Sequence, residues 1–154
     1  WGLRQRDLEL RRFAYNPHNW LAIGAITNEI NRYAATPWEL KGGRSDTEQF
    51  TDVFQNAEFD EGYGTFITKV LWDYFTQDFG AVIEVVAGGD PNGPIGNRPV
   101  LGLNHLDSLR CIATGNLEYP IIYWSHRTGT MHRMHRERVI RIIDMPSPED
   151  DWSL

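Results

Sequence analysis

The sequence lacks the features that define several large classes of protein. Its 154 residues include a single cysteine, Cys111, which excludes an internal disulfide and a cysteine-rich zinc site. The surrounding segment LDSLRCIAT is typical of a strand, so we predict a buried and inert thiol. No apolar run approaches the length of about 20 residues that a membrane-spanning helix needs, and we therefore expect no membrane contact.

Basic residues are also scarce relative to acidic ones. Lysine and arginine total 15 against 21 aspartate and glutamate residues, which gives a net charge of −6. Tight binding to a phosphate backbone needs clustered basic side chains, so the composition argues against a basic nucleic-acid-binding face. The one locally basic stretch, RTGTMHRMHRERVIR (127–141), fits two interpretations: contact with an acidic partner or a phosphate backbone, or the solvated face of a half-buried strand.

No catalytic signature is present, and we predict that the chain is not an enzyme and holds no cofactor or metal. The few serines lack the GxSxG context of a nucleophile elbow, and the spacing of the carboxylates selects no pair. The segment GGDPNGPIGN (88–97) lacks the Lys-Ser/Thr of a phosphate-binding loop and contains prolines, which have no N–H to donate. We expect it to be an exposed hairpin loop.

The histidines allow one alternative. His126, His132 and His135 lie close in sequence, and three imidazoles suit a zinc ion that activates water, as in a hydrolase. Positions 132 and 135 face opposite sides of a regular strand, and the neighbouring arginines would repel a dication. We therefore treat a histidine-metal hydrolase as a minor alternative.

Helical patterns occupy the first half of the chain. Residues 1–15 suggest a short helix or an arm, and Asn16-Pro17 is a favourable start for the helix that follows. We predict that a Thr36-Pro37 pair ends that helix and that Ser45 or Asp46 caps the next. The predicted helices cover about 17–35, 45–54 and 63–78.

Strand patterns occupy the second half, separated by glycine and proline turns. Helices followed by strands predict an α+β fold, with the N-terminal helices packed on a mostly antiparallel or mixed β-sheet. We expect one domain over residues 1–154 that is part of a longer chain, with a helical part at about 1–79 and a β-rich part at about 80–145. The predicted strands cover 81–87, 99–106, 108–114, 119–126, 129–135 and 138–144.

Four segments resemble the wing region of tailed-bacteriophage portal proteins, the head-to-tail connectors. They are a helix followed by a short strand, a helix that ends in an aromatic and acidic turn before a strand, a strand-turn-strand passage, and a strand that precedes a further helical part. In order, the segments are NPHNWLAIGAITNEINRYAATPWELKG (16–42), the helix at 63–78 followed by QDFGAVIEVV (77–86), LNHLDSLRCIATGNLEYPIIY (103–123) and HRERVIRIIDMPSPEDDW (135–152).

The resemblance implies a mechanical role at one vertex of the virion capsid, after assembly in the host cytoplasm. Portal proteins form a closed homo-oligomeric ring, usually a dodecamer, through which double-stranded DNA is packaged and ejected without sequence specificity. Their partners are the terminase motor, the major capsid protein and the head–tail adaptor. An acidic wall suits this role because a duplex slides past it without being held.

Aromatic and arginine side chains are the residues we expect at subunit and partner contacts, because interfaces favour them. The candidate contact residues are Trp20, Trp38, Trp124, Arg133, Arg136 and Trp152. A generic α+β module that binds a protein or a small ligand is the alternative function. It predicts a stable monomer with a concave apolar pocket.

Overall fold

A computed structural model describes residues 2–144 and confirms the predicted α+β class, with five helices followed by two three-stranded antiparallel sheets in that part of the chain. Within the same residues, no helix combines the length and the apolar character needed to cross a membrane. The helices are α1 (Gly2–Ala14), α2 (Trp20–Ala34), α3 (Arg44–Gln55), α4 (Ala57–Asp60) and α5 (Tyr63–Thr76).

The predicted helix start at Asn16-Pro17 is confirmed, whereas the predicted cap of the next helix, Ser45 or Asp46, is wrong. Asn16 accepts a hydrogen bond from the His18 amide at 3.0 Å and begins a short 3-10 turn, Pro17–Asn19, that leads into α2. In α3 the cap position belongs to Gly43, whose extended backbone makes Arg44 the first helical residue. The helix therefore starts one residue before Ser45, and no side chain caps it.

The strands divide between two sheets, where a single sheet was predicted. The predicted strand at 108–114 is interrupted because the Asp107 side chain accepts a hydrogen bond from the Leu109 amide and sets a 3-10 turn, Ser108–Arg110. The strands are β1 (Ala81–Ala87), β2 (Val100–Leu106), β3 (Cys111–Ala113), β4 (Ile121–Ser125), β5 (Thr130–Met134) and β6 (Val139–Ile142). Sheet A has the order β2-β1-β6 and sheet B the order β3-β4-β5. The chain thus leaves sheet A after Leu106 and enters sheet B at Cys111.

Sheet A is the middle of three layers. Alternate residues of β1 point to opposite faces, so Ala81 and Ile83 pack against α5 while Val82 packs against sheet B. Two cores result. The core beneath the helices contains Ala57, Phe66, Val70, Ala81 and Ile83; the core between the sheets contains Val82, Leu106, Cys111, Ile121 and Met134.

The connection from β1 to β2, residues 88–99, is held by two neighbouring side chains of the basic segment. The buried Arg138 guanidinium donates hydrogen bonds to the carbonyl oxygens of Ala87, Gly88 and Gly93. Glu137 accepts from the amides of Ile95 and Gly96 at 2.9 and 3.0 Å, and these bonds lower the pKa of its carboxyl group. The loop expected to be exposed therefore has two buried residues, Gly93 and Ile95, at its centre.

Candidate interaction surfaces and polar sites

Aromatic side chains are exposed where α1 meets α2. The Asn19 side chain donates to the Phe13 carbonyl at 2.9 Å and ties the end of α1 to the start of α2. Trp20 at the start of α2 is 68% exposed, and Tyr15 stacks on Trp72 of α5 with ring centroids 5.3 Å apart. We define the helical surface as the exposed residues Phe13, Tyr15, Trp20 and Leu21.

A second apolar surface is the outer face of sheet B. The register pairs Ile112 with Ile122, Ile122 with Arg133, and Trp124 with Met131, which places these side chains on one face. The opposite face carries the core residues of the same strands, so this face points away from sheet A. Trp124 is 40% exposed and Met131 is 59% exposed. We define the sheet surface as Ile112, Ile122, Trp124, Met131 and Arg133.

The two surfaces belong to different layers of the fold. The helical surface is formed by the end of α1 and the start of α2, and the sheet surface is formed by β3, β4 and β5 of sheet B. Contiguous exposed apolar patches on a folded protein mark interaction sites. The described part of the chain thus presents two separate groups of exposed apolar side chains.

The structure distributes the predicted contact residues unevenly. Trp20 belongs to the helical surface, and Trp124 and Arg133 belong to the sheet surface. Trp38 packs against Phe54 and Tyr63, with ring centroids 5.3 and 5.1 Å away, and is still 39% exposed, about as much as Trp124. Arg136 is exposed in a 3-10 turn (Arg136–Arg138), and Trp152 lies outside the described residues.

The three histidines of the hydrolase alternative are not brought together. His135 is buried, accepts a hydrogen bond from the Glu137 amide and packs edge-on against Tyr119. His132 lies 2.9 Å from the Thr130 hydroxyl and lines a cleft together with His126. Across residues 2–144, no three His, Cys, Asp or Glu side chains form a group suited to a metal ion.

A buried polar network around Asp73 was not foreseen from the sequence. One carboxylate oxygen of Asp73 accepts from the Arg11 guanidinium at 2.9 Å. The other lies 2.8 Å from His105 Nε2 and accepts from the Ser108 amide at 3.0 Å. The network joins α1, α5, β2 and the turn that leads into sheet B. It therefore fixes the helical layer to the point where the chain changes sheets.

Arg11 extends this network to a second carboxylate. Its guanidinium lies 2.8 Å from Asp107, the residue whose side chain also sets the turn between the sheets. Burial acts to raise the pKa of Asp107, but the hydrogen bond and charge of Arg11 outweigh it, and the pKa is lowered overall. Asp107 thus stays ionised and retains both contacts.

Helix α4 is a left-handed turn in which Glu58, Phe59 and Asp60 have φ values of 56°, 58° and 69°. Such backbone costs on the order of 1–3 kcal/mol per residue for side chains other than glycine and persists where the surroundings enforce it. Here the buried Glu58 carboxylate accepts from the His105 amide at 2.7 Å and from Lys69 at 2.8 Å. Since His105 lies on the edge strand β2, Glu58 also covers part of that edge.

Comparisons with known proteins give no independent assignment. No protein-family model matches the chain, and no curated protein sequence matches it either.

Proposed function

We propose that this chain is the wing region of a tailed-bacteriophage portal protein, a structural subunit of a ring through which DNA enters and leaves the capsid. The resemblance of the four sequence segments supports the family. The observation that carries the proposal is the pair of exposed surfaces, one on the helices α1 and α2 and one on sheet B.

Ring closure accounts for both surfaces with one contact. In a ring, the helical surface of one copy packs against the sheet surface of the next, and the same contact repeats until rotation closes the circle. Trp20 and Tyr15 on one side and Trp124 and Met131 on the other supply aromatic and polarisable side chains, which are enriched at interface centres. Each copy inside the ring then buries both surfaces.

The charge of the chain is compatible with a DNA channel. With a net charge of −6, a wall built from many copies of this chain repels the phosphates of a duplex, so DNA moves without being held. On the proposed function, the terminase motor, the major capsid protein and the head–tail adaptor contact the assembled ring, and the protein resides at the portal vertex of the virion.

The decisive experiment is the native mass of the full-length protein, combined with negative-stain imaging. The proposal predicts rings of about twelve copies with a central channel. A monodisperse monomer at every accessible concentration would refute it and favour the alternative of a monomeric α+β binding module.

A further inference from the structure

A cleft opens between the two sheets beyond the core that joins them. It has a volume of about 580 Å³, within the range of roughly 300–1,000 Å³ that is usual for small-ligand sites. Leu106 and Met134 line its apolar part, and Glu84, Tyr123, His126 and Arg127 line its polar part. Neither exposed surface of the proposed ring contact includes these residues.

The rim of the cleft is formed by the left-handed turn. The Phe59 amide donates to the Asn104 side chain at 3.3 Å, and Glu58 beside it is buried and paired, so the turn is held in place. As a result Phe59 is 64% exposed at the cleft, where the Arg127 guanidinium lies 5.4 Å from its ring centroid. A strained backbone that turns a large apolar side chain outward does not serve the core. Strain of this kind is characteristic of binding sites.

Several polar side chains of the lining make no hydrogen bond to the described part of the chain and are free to contact a ligand. They include the half-buried Tyr123 hydroxyl and the solvent-exposed His126 ring and Arg127 guanidinium. Each can donate a hydrogen bond, and arginine is suited to planar, two-oxygen acceptors such as carboxylates. Glu84 accepts from Asn104 at 3.2 Å, and its negative charge repels a ligand carboxylate from the part of the cleft that it lines, which leaves the rim beside Arg127 as the place for that group.

We infer that this cleft binds a carboxylate carried on a planar, apolar body. The ring of the ligand packs against Phe59 and Met134, and its carboxylate accepts hydrogen bonds from Arg127 and from Tyr123 or His126. The chemistry is shared by a free aromatic carboxylate and by an acidic segment of a protein chain next to an aromatic residue. An acidic segment next to a tryptophan, EDDW (149–152), lies outside the described residues.

Calorimetric titration of the 154-residue chain with two probes tests the inference and separates the sources. The probes are 3-phenylpropanoate and the peptide Glu-Asp-Asp-Trp, and the control ligand is 3-phenylpropanol, which has no carboxylate. We expect saturable binding of at least one carboxylate probe and about tenfold weaker binding by Arg127→Gln, since a charge-assisted pair is lost. Binding of phenylpropanoate identifies a small-molecule site, and binding of the peptide alone identifies a site for a protein segment.

Matched variants guard against indirect effects. Arg44→Gln removes an exposed guanidinium on α3 and should bind like the parent chain, whereas Phe59→Ala removes the stacking ring and should bind several-fold more weakly. The inference is overturned if neither carboxylate probe saturates at millimolar concentration, if Arg127→Gln binds like the parent, or if phenylpropanol binds equally well. These outcomes do not depend on ring formation. A monomeric protein that binds a carboxylate probe would refute the portal proposal and leave the inference about the cleft standing.

Discussion

Asp73 is the residue on which the contacts between layers converge. Its carboxylate accepts hydrogen bonds from Arg11 of α1 and from the Ser108 amide, and it contacts the His105 ring of β2. Asp73 nevertheless lies on the buried face of α5, beside the apolar residues Phe66 and Val70. Its spacing from Phe66 and Val70 places it on that buried face, and this was the signal in the sequence for a buried carboxylate. The partners could not be inferred in the same way, because they are 62, 32 and 35 residues away along the chain.

Replacing Asp73 by asparagine should destabilise the fold strongly. The change removes the charge that faces Arg11 and His105 in a buried site, where breaking a pair costs about 3 kcal/mol. Urea unfolding measures the loss, and Asp52→Asn, which alters an exposed carboxylate of α3, is the control. A loss below about 0.5 kcal/mol, the size expected at the surface, would contradict the structural role.

Asp107 should make stability depend on acidity. In the folded state its pKa is lowered from the ordinary value of 3.8. Its contribution to the free energy of unfolding is therefore fully present above pH 3.8 and is lost as the pH falls through the lowered pKa. Urea midpoints measured from pH 5 to pH 2 should therefore fall less steeply for Asp107→Asn than for the parent chain. Equal slopes for the two proteins would show that Arg11 does not stabilise the ionised carboxylate.

Among the elements, those with a strong local pattern were predicted well. The sequence indicated α2, α5 and the β1 strand, because capping, apolar periodicity and a proline stop act over a few residues. The two-sheet arrangement and the left-handed turn were missed. The two-sheet arrangement depends on a single turn set by Asp107. The left-handed turn depends on contacts of Glu58 with Lys69 and with the His105 amide of β2, and no local pattern at residues 58–60 indicates these contacts.

The strain in α4 should be open to relief by one substitution. Asp60 is exposed and has a φ of 69°, a conformation that glycine adopts without steric cost, so Asp60→Gly should stabilise the chain by about 1 kcal/mol. Asp60→Ala also removes the charge but keeps the strain, and it should bring no gain. The midpoints of thermal unfolding of both variants distinguish relief of strain from removal of charge. Equal midpoints for Asp60→Gly and Asp60→Ala would exclude relief of strain.

The loop at 88–99 should become more mobile when Arg138, the buried arginine that holds it, is replaced by lysine. Lysine at position 138 cannot reproduce the planar set of donors that satisfies the carbonyls of Ala87, Gly88 and Gly93, so Arg138→Lys should cost about 2 kcal/mol. Hydrogen exchange of the Ile95 and Gly96 amides should accelerate in this variant, and also in Glu137→Gln. Unchanged exchange in Arg138→Lys would mean that Glu137 alone holds the loop.

At the scale of the whole molecule, the sequence predicted the fold class but not the placement of the surfaces. Composition showed a surplus of aromatic residues, and only the layer order decides which of them face outward. Trp38 illustrates the limit: it resembles Trp20 in the sequence, yet it packs against Phe54 and Tyr63 and is 39% exposed, compared with 68% for Trp20.

Two surface variants should complement each other if the ring contact is head-to-tail. Trp20→Glu disables the helical surface and Trp124→Glu the sheet surface, so each full-length variant alone should remain monomeric. An equal mixture should form dimers, because one intact surface of each kind survives, but no closed rings. Native mass spectrometry distinguishes these species. A mixture that stays monomeric, or either variant forming rings alone, would exclude this contact.

The burial of Cys111 makes the chain suited to chemical mapping. It is the sole thiol of the printed sequence, and it lies between the two sheets with its Sγ 3.5 Å from the Asp107 carbonyl. A maleimide reagent therefore meets little background reaction in the native protein. Cysteines introduced at positions 20 and 124 then become selective attachment points for a bifunctional cross-linker, and the spacing between neighbouring copies is measurable without first removing a native thiol.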